Sequence, residues 1–143
     1  MQFPAQIGVF IAEDSELLQE RLLAGLRRIE GIFIAGQALT GKSAIEGIRA
    51  TPVDVLLLDL NMPEGDGFEV LAAFAGDPVR PLIAVMTFDS NPLVHRKCRD
   101  LGADLIFDKG DDLQLLVDVL QNLAAGRCTL ADFKKTIVHN HPV

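Results

Sequence analysis

The sequence predicts an α/β fold, a doubly wound five-stranded parallel sheet with helices on both faces. Apolar runs of strand length alternate five times with segments whose apolar residues recur at the three- and four-residue spacing of an amphipathic helix. A helix after every strand implies parallel pairing with right-handed crossovers. The run from Val55 to Leu58 is apolar throughout, as in a central strand that is buried on both faces.

The first two strand–helix units follow the same sequence pattern. The first strand, Ile7 to Ala12, precedes a helix over Ser15 to Ile29 whose leucines align on one face. The second strand, Ile32 to Leu39, precedes a helix over Thr40 to Arg49. Gly31 stands between the two units, where the end of a helix needs a residue that tolerates positive φ.

The third strand, Val53 to Leu58, precedes a glycine-rich loop and a helix over Phe68 to Phe74. The fourth strand, Leu82 to Met86, precedes a helix over Leu93 to Leu101. The pair Asn91-Pro92 is typical of a helix start, because Asn caps the first turn and Pro lacks the N–H that would stay unpaired there.

The fifth strand, Leu105 to Phe107, precedes the last helix, Asp112 to Ala125. Gly102 and Gly126 again fit helix ends. Residues 1–126 are therefore predicted to form one domain, a size that suits a single hydrophobic core.

The periodicity stops at Arg127. Residues 127–143 are predicted to form a tail, either a free terminus or the start of a linker to an output domain. A short helix is expected over Leu130 to Val138. The segment His139-Asn140-His141 is interpreted as a flexible terminus rather than a metal site, because few other ligands lie near it in sequence.

Composition disfavours several classes of function. With 20 acidic and 13 basic residues the net charge is −7, which opposes binding to nucleic acid or to anionic membranes. No apolar run reaches the roughly 18 residues of a membrane span, and no secretory leader is expected. The cysteines, Cys98 and Cys128, are too few for a disulfide framework and are interpreted as small, partly buried hydrophobes of a cytoplasmic protein.

Polar residues follow the predicted strands at their carboxyl ends. Glu13 and Asp14 follow the first strand, Asp59 the third, Thr87 the fourth and Lys109 the fifth. These ends meet at one edge of a parallel sheet, where doubly wound folds bind ligands. Taken singly, most of them also fit a structural role as a helix cap, a strand residue or a surface charge. A carboxylate that ends a buried strand must be compensated, so Asp59 is the strongest functional candidate.

Charge arithmetic indicates the kind of site. Glu13, Asp14 and Asp59 contribute three negative charges, Lys109 returns one, and a divalent cation brings the sum to zero. Hard oxygen ligands in small number favour Mg²⁺, which keeps several waters and suits phosphoryl groups. The sequence therefore predicts a Mg²⁺-dependent phosphoryl site.

The same residues, with Asp59-Leu60-Asn61-Met62-Pro63 and the segment Gly65 to Leu71, resemble the receiver domain of two-component response regulators. The resemblance runs from about Gln6 to Ala125. It implies the CheY-like, flavodoxin-like sheet order 2-1-3-4-5 and a signalling role rather than an enzyme. It also implies a partner, a sensor histidine kinase or a phosphotransfer protein, that donates the phosphoryl group from a phosphohistidine.

The resemblance also implies residue roles. Asp59 would accept the phosphoryl group, and Thr87 and Lys109 would each contact a phosphoryl oxygen. Asp14 would bind Mg²⁺ directly and Glu13 through water. The full set of Mg²⁺ ligands would be Glu13, Asp14, Asp59 and the backbone carbonyl of Asn61.

Phosphorylation is expected to bias two nearly balanced conformations, because it adds charge and acceptor oxygens. In the family the signal passes through the fourth helix, fifth strand and fifth helix, here about Leu93 to Ala125. This segment would bind a downstream protein target, an output domain or a second copy of the chain. Its charged residues indicate either solvated helix faces or a complementary dimer surface; they are His95, Arg96, Lys97, Arg99, Asp104, Asp111, Asp112 and Asp118.

Three positions depart from the family pattern. An aromatic residue that couples to Thr87 usually stands where this chain has Ile106, and Phe107 is expected on the opposite side of the strand because side chains alternate. Gly110 replaces a Pro that often forms a cis bond, so a trans or more mobile turn is expected. Phe88 replaces a small residue and is expected to slow phosphorylation by small donors.

Three other interpretations fit parts of the sequence. Gly36 to Ser43 matches the P-loop pattern of nucleotide hydrolases, although the strand is predicted to continue to a cap at Thr40. A phosphatase of the haloacid dehalogenase type needs an Asp two residues after its nucleophile, where this chain has Asn61. A degenerate receiver would act as a binding module without phosphorylation.

Overall fold

The computed structural model describes residues 6–127, in which five strands alternate with five helices. The strands are β1 (Ile7–Ala12), β2 (Ile32–Ala38), β3 (Val55–Asp59), β4 (Leu82–Thr87) and β5 (Leu105–Asp108). The helices are α1 (Glu16–Leu26), α2 (Gly41–Ala50), α3 (Gly67–Phe74), α4 (Pro92–Asp100) and α5 (Leu113–Ala124). Within this range no helix is long and apolar enough to cross a membrane. Cys128 and the predicted tail segments, Leu130 to Val138 and His139-Asn140-His141, lie outside the described residues.

All strand pairs are parallel, and the sheet order is β2-β1-β3-β4-β5, which confirms the prediction. The strand order reverses beside β1, because β2 lies on one side of it and β3 on the other. The carboxyl ends of β1 and β3 therefore flank the switch point at which such sheets bind ligands. Asp59 is in register with Met86, and Thr87 with Asp108, so the ends of the last three strands lie at one level.

The sheet separates two hydrophobic layers, because successive side chains of a strand point to opposite faces. Helices α1 and α5 pack on one face through residues such as Leu26 and Leu120. Helices α2, α3 and α4 pack on the other through residues such as Ile48, Leu71 and Cys98. Burying one aliphatic side chain contributes about 1.5–3 kcal/mol, so the two layers hold the strand ends firmly in place.

Cys98 is fully buried, whereas partial burial was predicted. Burial raises the pKa of its thiol to about 11, so the thiol stays neutral at physiological pH.

Helix starts follow local side-chain chemistry. Ser15, Thr40, Asp66 and Asn91 each accept a backbone N–H from the first turn of α1, α2, α3 and α4 respectively. Because a cap residue has an extended backbone, α1 and α2 begin one residue after Ser15 and Thr40. The three predicted helix-end glycines have positive φ, with values of 89°, 104° and 73° at Gly31, Gly102 and Gly126.

Most element boundaries lie within one residue of the prediction, and two differ by more than one residue. Helix α1 ends at Leu26 rather than Ile29, because Arg28 and Ile29 donate to carbonyls only three residues back, and this tighter turn ends the helix. Strand β3 begins at Val55 rather than Val53. The residue before it, Asp54, is fastened to Gly8 of β1 by its backbone N–H and by its carboxylate.

Candidate functional site

Three charged side chains meet at the carboxyl edge of the sheet. Glu13 follows β1, Asp59 ends β3 and Lys109 follows β5. The Lys109 Nζ lies 2.8 Å from Glu13 Oε1 and 2.8 Å from Asp59 Oδ1. Their side chains are 1%, 2% and 8% exposed for Glu13, Asp59 and Lys109, so water screens these charges little. Strand ends that are distant in sequence thus form one buried cluster.

Backbone N–H groups also compensate the Asp59 carboxylate. The Asn61 N–H donates to Oδ1 at 3.0 Å, and the Asp14 N–H approaches Oδ2 at 3.5 Å. The first is an ordinary hydrogen bond, and the second lies at the long limit. Oδ1, which also contacts Lys109, therefore takes the two short contacts. Asp59 has the compensation that its place at the end of a buried strand requires.

The two oxygens of Glu13 differ in their surroundings. Oε2 accepts the Ser15 N–H at 2.9 Å. Oε1 is buried and accepts no hydrogen bond of acceptable geometry, although Lys109 lies close to it. That contact is therefore mainly electrostatic, and Oε1 retains the capacity to bind a further donor or a cation.

Burial and charge shift two pKa values in this cluster. Burial raises the pKa of Glu13 above its usual 4.5 and nearby Asp59 adds to the effect, while Lys109 and the Ser15 N–H oppose it only in part. Burial by itself would lower the pKa of Lys109, but contacts with Asp59 and Glu13 outweigh burial and raise this pKa above 10.5. Lys109 is therefore a full positive charge at neutral pH.

The other predicted oxygen donors lie at the border of the cluster. Asp14 and Asn61 are exposed, whereas Glu13 and Asp59 are buried against Lys109. Among residues 6–127, no group of three or more His, Cys, Asp or Glu side chains is arranged to hold a metal ion. The side chains of the predicted acidic triad are thus not gathered as one ligand set. Their chemistry still suits a hard divalent cation, because every donor is an oxygen and Glu13 Oε1 lacks a hydrogen bond.

Thr87 ends β4 and is 1% exposed. Its Oγ1 accepts the Asp89 N–H at 3.0 Å, and its carbonyl accepts the Lys109 N–H at 3.0 Å. Ile106 packs in the layer under α2, α3 and α4, while Phe107 packs in the opposite layer, as the alternation along the strand predicts. Ile106 is a buried hydrocarbon, so it has no polar atom with which to contact Thr87.

Two residues that depart from the family pattern lie beside Lys109. Phe88 is 70% exposed, and its ring centroid lies 5.6 Å from Lys109 Nζ, within the range of a cation–π contact. The bond before Gly110 is trans, as is every peptide bond of the described range. The Gly110 N–H donates to Asp108 Oδ1 at 2.6 Å, and this hydrogen bond holds the turn without a proline.

The loop between β3 and α3 is fastened to the start of α2. The Gly41 N–H donates to Pro63 O at 3.2 Å, and the Lys42 N–H donates to Glu64 O at 2.9 Å. Glu64 and Gly65 form a left-handed turn, with φ of 50° and 99°. A Cβ on Gly41 would overlap the Gly65 carbonyl, so this close approach requires glycine at position 41.

The segment that matches a P-loop is not a phosphate-binding loop. Gly36 lies inside β2, where an added Cβ would come within 2.6 Å of the Phe10 ring. Only Leu39 and Thr40 separate β2 from α2, and Thr40 caps the helix by accepting the Ser43 N–H at 3.0 Å. A P-loop needs a wide loop of backbone N–H groups, which this short connection does not provide. The P-loop interpretation is therefore wrong.

Two of the acidic residues that could contribute to a charge-complementary dimer surface, Asp104 and Asp112, have local partners. Asp104 forms two 3.0 Å contacts with the Arg80 guanidinium, and Asp112 accepts the Asp108 N–H at 2.9 Å. These carboxylates hold the ends of β4 and β5 in place. Asp104 and Asp112 are therefore less available for contacts with a second copy of the chain.

Sequence reasoning missed the polar residues that fasten the strands. Gln19 is 8% exposed and its Nε2 donates to Glu13 O at 3.4 Å and to Ala38 O at 3.2 Å, so it holds β1 beside β2. A glutamine on the apolar face of a predicted helix was the available signal. Asp54 and Asp104 directly precede β3 and β5, and this shared position was a second signal.

Comparison with known proteins gives a consistent result. The family model for the response regulator receiver domain matches residues 9–121. The response regulator UvrY of Escherichia coli (strain K12) is 28% identical over 125 residues, which is 87% of this chain and 57% of that protein. The transcriptional regulatory protein PdtaR of Mycobacterium tuberculosis (strain ATCC 25618 / H37Rv) is 32% identical over 119 residues, 83% of this chain and 57% of that protein. The chain thus spans little more than half the length of these relatives.

Solved structures agree with the topology. The signal receiver domain of the putative response regulator NarL from Mycobacterium tuberculosis has a TM-score of 0.75 and 26% identity, covering 87% of this chain and 100% of that chain. The isolated receiver domain of RcsB from Salmonella enterica serovar Typhimurium, solved with the phosphomimetic BeF3−, has a TM-score of 0.72 and 25% identity. It covers 82% of this chain and 89% of that chain.

Proposed function

The chain belongs to the family of response regulator receiver domains, and on that premise we propose that Asp59 accepts a phosphoryl group from a partner phosphohistidine. The donor is a sensor histidine kinase or a phosphotransfer protein. Members of this family are signalling domains rather than classical enzymes. One observation carries the proposal: Asp59 and Glu13, from separate strand ends, lie buried within 2.8 Å of the same lysine, Lys109.

The proposed reaction is an in-line transfer. An Asp59 carboxylate oxygen attacks phosphorus, an O–P bond forms, and the P–N bond breaks with its electron pair left on the imidazole nitrogen. We assign Oδ2 as the attacking oxygen, because Oδ1 takes the short contacts from Lys109 and from the Asn61 N–H. Positioning of the donor against this fixed carboxylate supplies most of the catalysis. In the same way the domain would contribute to its own phosphorylation and dephosphorylation.

Lys109 and Thr87 serve the transferred group. The Lys109 ammonium is charged at neutral pH and donates to a phosphoryl oxygen as negative charge grows there. The Thr87 hydroxyl accepts the Asp89 N–H and keeps its own proton for a second phosphoryl oxygen. Both side chains are buried, so water competes little for these hydrogen bonds.

The oxygen donors around Asp59 suit Mg²⁺. Glu13, Asp14, Asp59 and the backbone carbonyl of Asn61 would hold the ion, Asp14 directly and Glu13 through water. When bound, Mg²⁺ neutralises charge on the acceptor carboxylate and on the phosphoryl oxygens. The support in this chain is the all-oxygen donor set and Glu13 Oε1, a buried carboxylate oxygen without a hydrogen bond.

Phosphorylation would change partner binding through α4, β5 and α5, with Thr87 and Ile106 at the origin of the change. The partner would be a downstream protein target, an output domain or a second copy of the chain. The relatives are longer than this chain, which favours an output domain in the full-length protein. We assign the chain to the cytoplasm. We propose that it does not contact nucleic acid directly, because its net charge of −7 opposes binding to phosphate.

Labelling with acetyl phosphate and Mg²⁺ tests the acceptor. We expect a mass increase of one phosphoryl group in the parent chain and none in Asp59→Asn. Asp54→Asn is the matched control, because Asp54 directly precedes β3 and so lies at the opposite edge of the sheet from Asp59, and it should be labelled like the parent.

A degenerate receiver predicts a different result: no label in the parent chain and no change in its amide spectrum when beryllofluoride and Mg²⁺ are added. Label retained by Asp59→Asn would place the acceptor elsewhere. Either outcome would overturn the proposed function.

A further inference from the structure

His95 joins helix α4 to the loop that follows β4. Its Nε2 lies 2.7 Å from the Asp89 carbonyl oxygen. A carbonyl only accepts hydrogen bonds, so Nε2 is the donor. The backbone N–H of His95 donates to Asn91 O at 3.2 Å. One residue of α4 therefore holds residues 89–91 through both its side chain and its backbone.

The same loop is attached to Thr87 at its other end. The Asp89 N–H donates to Thr87 Oγ1 at 3.0 Å. Asp89 thus accepts from His95 on one side of its Cα atom and donates to Thr87 on the other. The connection runs from a half-buried side chain on α4 to a hydroxyl on β4 that is almost fully buried.

Strand β5 offers Thr87 no comparable connection through position 106. Ile106 is 7% exposed and is packed among the hydrophobic residues under α2, α3 and α4. Its side chain neither donates nor accepts a hydrogen bond. A movement of the Thr87 hydroxyl therefore acts directly on Asp89, whose N–H it binds.

We propose that His95 is a positioning residue for the phosphoryl site, and that it transmits the phosphorylated state of Asp59 to α4 through Asp89. This inference rests on the proposed function. The Asp89 N–H occupies one lone pair of the Thr87 hydroxyl and so orients it, leaving its proton to point toward a phosphoryl oxygen. When that proton is donated, the hydroxyl is drawn toward Asp59, Asp89 follows, and the hydrogen bond to His95 displaces the start of α4.

Three variants separate this role from a merely structural one. His95→Leu removes the Nε2 donor and keeps a side chain of similar bulk. His95→Gln places an amide N–H near the position of Nε2 and should restore the contact. Arg96→Gln changes the exposed neighbour on the same helix and serves as the control.

Amide spectra of each variant would be recorded with and without beryllofluoride and Mg²⁺. In the parent we expect shifts both around Asp59 and along Pro92–Asp100. In His95→Leu the shifts around Asp59 should remain, those along α4 should fall by about half or more, and the apparent Kd for beryllofluoride should rise about three- to tenfold, the range for one lost hydrogen bond. His95→Gln and Arg96→Gln should behave like the parent.

Shifts along α4 in His95→Leu that equal those of the parent would overturn the inference, as would His95→Gln behaving like His95→Leu. A parent chain that does not respond to beryllofluoride at all would instead overturn the proposed function. The unmutated chain supplies a measurement that does not depend on the folding of a variant. Its His95 imidazole nitrogen signals should show a protonated Nε2 and should move on addition of beryllofluoride, and signals that stay fixed would also overturn the inference.

Discussion

Two regions of this chain carry residue patterns typical of phosphate chemistry, and only one of them brings its charged side chains together in a buried cluster. Glu13, Asp59 and Lys109 come from three strand ends and meet in one buried cluster with 2.8 Å contacts. The segment Gly36 to Ser43 matches a P-loop residue for residue, yet it forms the end of β2, a cap and the first turn of α2. The comparison shows that residue types at the correct spacing do not make a site unless the fold brings their polar atoms together.

The P-loop-like segment nevertheless helps to hold the loop that follows Asp59. The N–H groups of Gly41 and Lys42 hold the carbonyls of Pro63 and Glu64, and these residues belong to the same loop as Asn61. The start of α2 thus binds backbone carbonyls of the loop between β3 and α3, whereas the start of a P-loop helix would bind phosphate. Gly41 of the P-loop-like pattern is needed because the backbone of α2 approaches the backbone of Gly65 closely at this position.

The largest effect on stability is expected when the buried cluster of Glu13, Asp59 and Lys109 loses the positive charge of Lys109. Lys109→Met leaves the carboxylates of Glu13 and Asp59 buried without a counter-charge, and it should lower the free energy of unfolding at pH 7 by about 3–5 kcal/mol. Urea denaturation would measure this loss. Lys42→Met, in the exposed P-loop-like segment, is the control and should change stability by less than about 0.5 kcal/mol. Similar losses of stability in both variants would show that the buried cluster depends on its lysine no more than the P-loop-like segment does.

A smaller effect is expected from adding one methyl group at the junction of the two regions. Gly41→Ala should destabilise the fold by about 1–3 kcal/mol, because its Cβ would overlap the Gly65 carbonyl. It should also weaken beryllofluoride binding, since the loop that carries Asn61 must shift. Gly25→Ala is the matched control, because the nearest atom to its Cβ is Val117 Cγ2 at 4.0 Å, and it should stabilise α1 by up to about 1 kcal/mol. A stable Gly41→Ala variant that binds beryllofluoride like the parent would show that the P-loop-like segment does not position the loop that follows Asp59.

Mg²⁺ is expected to stabilise the cluster by a still smaller amount that depends on pH. At ten times the Kd, an ion bound only by the folded chain adds about 1.4 kcal/mol. Burial raises the folded-state pKa of Glu13, so the stability that Glu13 contributes without metal is full below its usual 4.5 and is lost as pH rises through the raised pKa. The stabilisation by Mg²⁺ should therefore be largest well above that raised pKa and should decrease as pH falls through it.

Thermal melting with Mg²⁺ and with a chelator, over a pH series that falls from 7.5 to 4, measures this dependence. Glu13→Gln should reduce it, because an amide does not titrate. A pH dependence of the Mg²⁺ effect that is the same in Glu13→Gln as in the parent chain would exclude Glu13 from metal binding.

The smallest effect is expected at the border of the cluster. Phe88 is 70% exposed beside Lys109, and Phe88→Ala should increase the rate of labelling by acetyl phosphate about twofold, the equivalent of ~0.5 kcal/mol of cation–π contact. Leu93→Ala removes another exposed apolar side chain and is the control, with no change expected. Labelling of Phe88→Ala at or below the rate of the parent would show that the ring does not restrict the donor.

Much of the fold was predictable because it follows from local chemistry. The uniformly apolar run from Val55 to Leu58 predicted a buried central strand, and the caps Thr40 and Asn91 predicted where α2 and α4 start. The end of α1 was less predictable, since the apolar spacing continues to Ile29 while the backbone tightens after Leu26. Side-chain periodicity reports which face is buried, but it does not report the hydrogen-bonding pattern of the last turn.

The residues of the candidate site were predictable, but their contacts were not. Their positions at strand ends indicated that Asp59 and Lys109 would share an edge of the sheet. That Lys109 lies between Asp59 and Glu13, and that Asp14 is exposed, depends on side-chain positions. The sequence showed that Ile106 replaces the aromatic residue that couples to Thr87 in the family, but it did not show that the Thr87 hydroxyl accepts the Asp89 N–H.

By itself the sequence determined the alternation of strands and helices, the faces that become buried and the residue types delivered to each strand end, because these depend on periodicity and local propensity. The tertiary structure alone decided which of the two phosphate-like patterns gathers its side chains into one buried cluster. Contacts such as those of Lys109 with Glu13 and Asp59 join residues that are 96 and 50 positions apart in the chain, the differences 109 − 13 and 109 − 59. Such contacts depend on strand order and on side-chain packing, and a local pattern carries information about neither.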